Sequence, residues 1–247
     1  TTLAALAADT ESIRLATCVT QIPLRSPGLL AHQAITVDHI SGGRLDLGLG
    51  PGVLMDPSME MLGMPNWSAG ERVERFAEYV DVVARLLSQE VTTYHGDHYT
   101  VEGAIMNPAS LQKPRLPIMV AALAPRMMRI TAQYADIWNT MSFDADFSVQ
   151  LDEMSVRAEA MDDICRGIGR EPTTLRRSAN LFDAEARAQG GRLRYLDDPE
   201  LFANLVRQLS AAGYTDIGLY FPSDPSQLDA FDHVGREVVP ELRRAMS

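Results

Sequence analysis

Arg44-Leu-Asp-Leu-Gly-Leu-Gly-Pro-Gly52 is an apolar run that ends in glycines at 48, 50 and 52. It reads as a buried strand, and glycines at a strand's C-terminal end let a ligand approach the backbone closely. A dinucleotide fingerprint would need G-x-G-x-x-G opening directly into a helix. Here Pro51 breaks that spacing, and a loop containing proline and methionine follows. A tight strand-to-loop turn with no ligand is the plain alternative for this segment taken alone.

Outward from that strand, short apolar runs alternate with amphipathic segments. Strands are predicted at Ile13–Val19, Leu45–Leu49, Ile118–Ala122, Ile137–Thr140, Leu175–Leu181 and Ile217–Phe221, near-continuous apolar stretches of the kind buried on both faces. Ser26-Pro27 supplies an N-cap and first-turn proline for a helix that stops at Ser41-Gly42-Gly43. Ser68-Ala-Gly-Glu71 is a capping box opening a helix with Val73, Phe76, Val80, Val83 and Leu87 on one face. Asp198-Pro199 starts another helix, which Gly213 ends. Asp224-Pro225 starts the last, in which Pro240 should cause a kink or a break.

This alternation predicts an α/β protein with helices packed on a parallel sheet, either a barrel or a doubly wound fold. Val91–Glu102, turning at Gly96-Asp97, reads as a β-hairpin followed by an irregular stretch to Pro117, an excursion from the sheet spanning 91–116. Thr2–Asp9 looks like the tail of a helix entering the first strand. Six parallel strands are too few to close an eight-stranded barrel, although 247 residues would suffice for one.

Composition narrows the function classes. The net charge of −11 argues against a nucleic-acid surface, which needs a basic face, and against an anionic membrane. Lys113 is the only lysine. The two cysteines, Cys18 and Cys165, give no disulfide framework and no multi-cysteine metal site. No apolar run approaches the roughly 20 residues of a membrane span. A cytoplasmic enzyme acting on a small molecule is the expectation.

Two further segments could carry chemistry. Pro117-Ile-Met-Val-Ala-Ala-Leu-Ala-Pro125-Arg126 reads as a buried strand, a small-residue turn and a helix start whose N–H groups suit a phosphate, or as a plain βα turn. Ala16-Thr-Cys-Val-Thr-Gln21 ends a buried strand, where Cys18 is either a contact to a bound ring or a small buried hydrophobe. His95-Gly-Asp-His98 sits in a hairpin turn without further ligands. His32 and His39 read as surface or packing residues, and Asp162 and Asp163 as a solvated helix face. No metal site is predicted.

Together, Ser12-Ile-Arg-Leu-Ala-Thr-Cys-Val-Thr, Leu30 through Gly52 with its Ser-Gly-Gly-Arg-Leu-Asp-Leu-Gly-Leu-Gly block, the capping-box helix, Tyr99-Thr-Val-Glu-Gly103 and Pro117 through Tyr-Ala-Asp-Ile-Trp-Asn139 resemble the bacterial luciferase-like family of flavin- and deazaflavin-dependent oxidoreductases. The resemblance implies a TIM (β/α)8-type barrel that lacks its first two βα units in this chain. One N-terminally incomplete domain over 1–247 is therefore expected.

The resemblance also implies the cofactor and its contacts. The cofactor would be coenzyme F-420 or FMN. Thr17, Cys18 and Val19 match a bulge at the ring's face, with a cis peptide expected at Cys18–Val19. Gln21, Pro51, Gly52 and Asp56 match contacts to the ring or ribityl chain, and Leu123, Ala124, Pro125 and Arg126 match the phosphate turn. Many relatives have glycines where this chain has Leu123 and Ala124. Family members that transfer hydride often place a histidine, tryptophan or acid on the units lacking here, so no catalytic residue is assigned. The implied activity is hydride transfer between F-420 and a small organic substrate, in a homodimer. The alternatives are an FMN-dependent monooxygenase, a non-catalytic luciferase-like subunit, and a barrel enzyme binding a phosphorylated substrate without redox chemistry. Substrate selection would fall partly to the Asp183–Asp198 loop.

Overall fold

In the computed structural model, which describes residues 1–53 and 56–246, the first predicted strand is two short pieces, Leu15–Ala16 (β1) and Thr20–Gln21 (β2). Both pair in parallel with Leu45–Gly50 (β3), a strand buried at every position. Ile13 is 61% exposed and outside any strand, because the chain enters the sheet only at Leu15. The pairing explains the interruption. Ala16 lies opposite Asp46 and Thr20 opposite Leu49, so the three residues 17–19 face only two, 47 and 48. That surplus residue is a β-bulge.

The chain divides into two compact units, Thr1–Trp138 and Asn139–Ser247. The first begins with Thr2–Asp9 (α1), whose C-terminal end is closed by Arg44 through bonds to Ala7 O at 2.9 Å and Thr10 O at 2.7 Å. Pro27–Ile40 (α2) starts where predicted, with the Ser26 hydroxyl accepting from Leu29 N. Pro57–Met61 (α3) follows β3. Ala69–Ser88 (α4) starts on Ser68, which accepts from Glu71 N. Phe76, Val80, Val83 and Leu87 are buried as the periodicity requires, each contributing roughly 1.5–3 kcal/mol by leaving water. Thr92–His95 (β4) and Thr100–Ala104 (β5) make the antiparallel hairpin.

The stretch from 105 to 117 has no helix or strand but is anchored by buried Asp38. That carboxylate accepts from Ser110 Oγ at 2.9 Å, Leu111 N at 2.8 Å and Gln112 Nε2 at 2.8 Å. Ile118–Ala121 (β6) then pairs in parallel on the other side of β3, and Pro125–Tyr134 (α5) leads to Ile137–Thr140 (β7), where the first unit ends.

The second unit carries Phe147–Gly167 (α6), Arg176–Asn180 (β8), Arg194–Asp197 (α7), Pro199–Ala211 (α8) and Asp216–Gly218 (β9). β8 and β9 are parallel, with Ala179 opposite Ile217. The regular part of each is shorter than its apolar run predicted, and Leu219–Phe221 lie beyond the strand. Asp198 caps α8 by accepting from Glu200 N and Leu201 N, and Gly213 turns the chain at φ +85.

The last helical stretch runs as a 3-10 turn at Pro225–Gln227, then Leu228–His233 (α9), a π-helical segment at Val234–Val238 and Val239–Met246 (α10). Pro240 does not break it. The wider π turn just before accommodates a residue that lacks an N–H and whose ring crowds the preceding turn. Among the described residues, no helix is long and apolar enough to cross a membrane.

Candidate active site

Three parallel strands of the first unit end side by side. Gln21 is in register with Gly50, and Leu49 with Val120 one residue before β6 ends. Open and closed parallel α/β sheets hold ligands beyond this carboxyl edge. Gln21 closes β2, Pro51, Gly52 and Asp56 follow β3, and Leu123, Ala124, Pro125 and Arg126 follow β6. Thr17, Cys18 and Val19 form the bulge just before it. The fold thus brings the predicted positions to the carboxyl ends of three neighbouring parallel strands.

At the bulge, Thr17 replaces the missing ladder partner of Gly48. Its hydroxyl donates to Gly48 O at 2.8 Å and accepts from Gly48 N at 2.9 Å. Cys18 is exposed, and the Cys18–Val19 peptide is cis, as the family resemblance implies.

The glycines serve a different purpose from the one their position suggests. A Cβ on Gly48 would overlap the Thr17 carbonyl group, lying 2.8 Å from its carbon and 2.9 Å from Met119 Cε. One on Gly50 would lie 2.5 Å from Val19 Cγ2. The space is taken by the bulge, so these two residues let one chain segment approach another rather than admit a ligand. Gly52, at φ +85, is required by its backbone conformation, and a Cβ there would meet Arg72 at 2.9 Å and Gln21 Oε1 at 3.1 Å.

Those contacts reveal a residue that the sequence reading did not single out. Arg72, on the first turn of α4, is 5% exposed and reaches Pro51 O at 3.4 Å, Asn66 Oδ1 at 3.2 Å and Trp67 O at 3.1 Å. It ties the turn after β3 to the loop before α4. The sequence did hold a signal, since Arg72 lies four residues before Phe76 on the apolar face of an amphipathic helix. A buried guanidinium needs oxygen partners, and a glycine-rich turn offers bare carbonyls.

Asp56 caps α3, accepting from Ser58 N at 2.9 Å and Ser58 Oγ at 2.7 Å. The Ser58 hydrogen bonds hold its carboxyl below the usual range, and nearby Gln21 and Arg72 add to the effect. Gln21 Oε1 is buried with no hydrogen-bond partner among the described residues. An orphaned acceptor of this kind favours a donor from outside the chain.

Beyond β6, Ala122 O accepts from Trp138 Nε1 at 2.9 Å, which fixes the strand's exit. Residues 123–126 are exposed, and Ala124 gives α5 no side-chain cap. The first-turn N–H groups and helix dipole are therefore open to an anion. Arg126 is engaged by Glu74 at 3.2 Å, with both side chains more than half exposed. Its charge at this turn is thus partly offset.

The remaining polar residues fall into structural roles. His95 pairs with Glu102 at 2.7 Å, and His39 Nε2 lies 2.8 Å from Ala109 O. Asp162 departs from the solvated-face expectation. It pairs with Arg177 and is 24% exposed, whereas Asp163 is 81% exposed.

Fold and site together define an α/β protein whose candidate site lies at the carboxyl edge of its parallel strands. Its first 215 residues match the profile of the luciferase-like monooxygenases, and the chain belongs to that family. It is 28% identical to limonene 1,2-monooxygenase of Rhodococcus erythropolis, over 66% of this chain and 40% of that one. It is also similar to the coenzyme F-420-dependent tetrahydromethanopterin reductase of Methanopyrus kandleri, with a TM-score of 0.75 and 18% identity over 97% of this chain and 86% of that one. A riboflavin lyase structure with modified FMN and riboflavin gives a TM-score of 0.77 at 13% identity, over 98% of this chain and 73% of that one. These structural likenesses show the TIM-type α/β fold class. The chain spans about half the length of the first curated relatives it matches.

Proposed function

We propose that the protein is an oxidoreductase that transfers a hydride between coenzyme F-420 and a small organic substrate. The observation that carries this reading is the buried Gln21 Oε1, without a partner among the described residues, beside Gly52 and at the edge where α5 also presents uncapped N–H groups. One acceptor for a ring N–H and one anion site beyond the neighbouring strand suit a molecule with a polar tricycle and a phosphate. The residues present therefore fit the group.

Thr17, Cys18 and Val19 would lie against the ring's face, with Gln21, Pro51, Gly52 and Asp56 along the ring edge and ribityl chain. The turn Leu123-Ala124-Pro125-Arg126 would take the phosphate through its backbone N–H groups, of which Pro125 itself supplies none. The bound deazaflavin supplies the hydride chemistry, and the protein supplies orientation and exclusion of water. Arg72 would keep the Pro51–Gly52 turn in place.

Titration of the protein with F-420 and, separately, with FMN tests the proposal by absorbance and fluorescence. Saturable micromolar binding of F-420 is expected, weakened about fivefold in Gln21→Leu by loss of one hydrogen bond. Binding of FMN without F-420 would replace the reading with a flavin monooxygenase. Binding of neither would leave a non-catalytic subunit.

A further inference from the structure

The second unit has a cleft of its own. It measures about 530 Å³ and is lined by Phe182, Tyr220 and Phe221 with the loop that follows β8. These aromatics stand beyond the carboxyl ends of β8 and β9. Phe182 meets Phe143 edge-on at 5.3 Å and Tyr220 at 6.0 Å, so the rings continue from one strand exit to the next. Phe221 is 68% exposed and Tyr220 41%. Large aromatic faces left open in a concavity of this volume are the usual lining of a small-molecule site.

The lining has two charged residues, and they differ in availability. Asp183 is fully buried and already committed, accepting from Arg194 N at 2.8 Å and pairing with the Arg194 guanidinium at 2.9 Å. Arg187 is exposed and forms no hydrogen bond or ion pair among the described residues. The cleft therefore offers ring faces and a single available cation. Its wall is also held in place. Gly191, at φ +90, packs where a Cβ would lie 2.5 Å from Ser223 Cβ, and Gly191 O accepts from Ser223 N.

We propose that this cleft binds an aromatic carboxylate, its ring against Phe182, Tyr220 and Phe221 and its anionic head at Arg187. Edge-to-face contact holds the ring, and the guanidinium selects the charge. The proposal rests on the oxidoreductase reading only in taking the bound molecule to be the substrate.

The test is direct binding of 2-naphthoate to the full chain, followed by its fluorescence, with 2-naphthamide as the uncharged analogue. Naphthoate binds saturably and more tightly than the amide. Arg187→Gln weakens naphthoate about fivefold and leaves the amide unchanged. Phe221→Ala weakens both about tenfold, and its exposure keeps the fold intact. Equal affinity for acid and amide overturns the proposal, as does naphthoate binding indifferent to both substitutions, or no saturable binding at all. The redox reading fails separately. Naphthoate bound without affinity for F-420 or FMN removes that reading and leaves the cleft, while cofactor binding without naphthoate removes the cleft alone.

Discussion

Gly48→Ala probes the glycine-rich strand most directly. The added methyl overlaps the Thr17 carbonyl group, a backbone unit that cannot rotate away, and comes within 2.9 Å of Met119 Cε. Overpacking of this kind costs about 1–3 kcal/mol. Pushing Thr17 aside also breaks its paired hydrogen bonds to Gly48 N and O, each contributing about 1 kcal/mol. A total of about 3–5 kcal/mol corresponds to a fall in melting temperature of roughly 6–20 °C for a chain of this size. The assay is thermal unfolding followed by far-ultraviolet circular dichroism. Gly28→Ala serves as the control. A Cβ there has nothing within 4 Å, and the smaller unfolded-state entropy should stabilise by about 0.5 kcal/mol. A Gly48→Ala protein melting within about 2 °C of the parent would refute the idea that the bulge occupies the space this glycine leaves.

Three other outcomes are expected. Thr17→Val, nearly isosteric, leaves Gly48 N and O without their side-chain partner and should cost about 2 kcal/mol in chemical denaturation. Asp38→Ala should cost at least about 3 kcal/mol and open the 105–117 stretch to limited proteolysis, since it removes the carboxylate that binds Ser110, Leu111 and Gln112. Asp56, Asp146 and Asp224 are helix caps whose carboxyls are lowered by hydrogen bonds from Ser58, Ser148 and Ser226. A lowered folded-state value means their stabilisation is complete above the unfolded value near 4 and is lost as pH falls through the folded one. A triple Asp→Asn variant keeps the caps but cannot titrate, so its melting temperature should decline less between pH 5 and pH 2.

Helix starts were the most legible feature of the sequence. Ser26-Pro27, Ser68 and Asp198-Pro199 each announce a helix through chemistry confined to three or four residues, and each side chain caps its helix, although the Glu71 carboxylate of the expected capping box pairs with Arg75. Strand extents were less legible. Ile13–Val19 has one apolar pattern throughout, but the bulge that divides it depends on residues 47 and 48, some thirty positions away. The glycines at 48 and 50 suggest close approach of a ligand, whereas the bulge fills their space, because a sequence does not show which neighbour lies beside a missing side chain. Arg72 is harder to read, because arginines in first helical turns commonly face water, and its oxygen partners come from the turn at Pro51 and the loop at Asn66 and Trp67.

The hydrogen bond from Trp138 to Ala122 O also has a practical consequence. The protein has two tryptophans, Trp138 and Trp67. Trp138 is fully buried against the exit of β6, immediately before the exposed 123–126 turn, while half-buried Trp67 lies under the Arg75 guanidinium at 4.7 Å. Each indole therefore sits beside one part of the candidate site. Their intrinsic emission forms a two-channel optical reporter, in which replacing either ring with phenylalanine isolates the signal from the other.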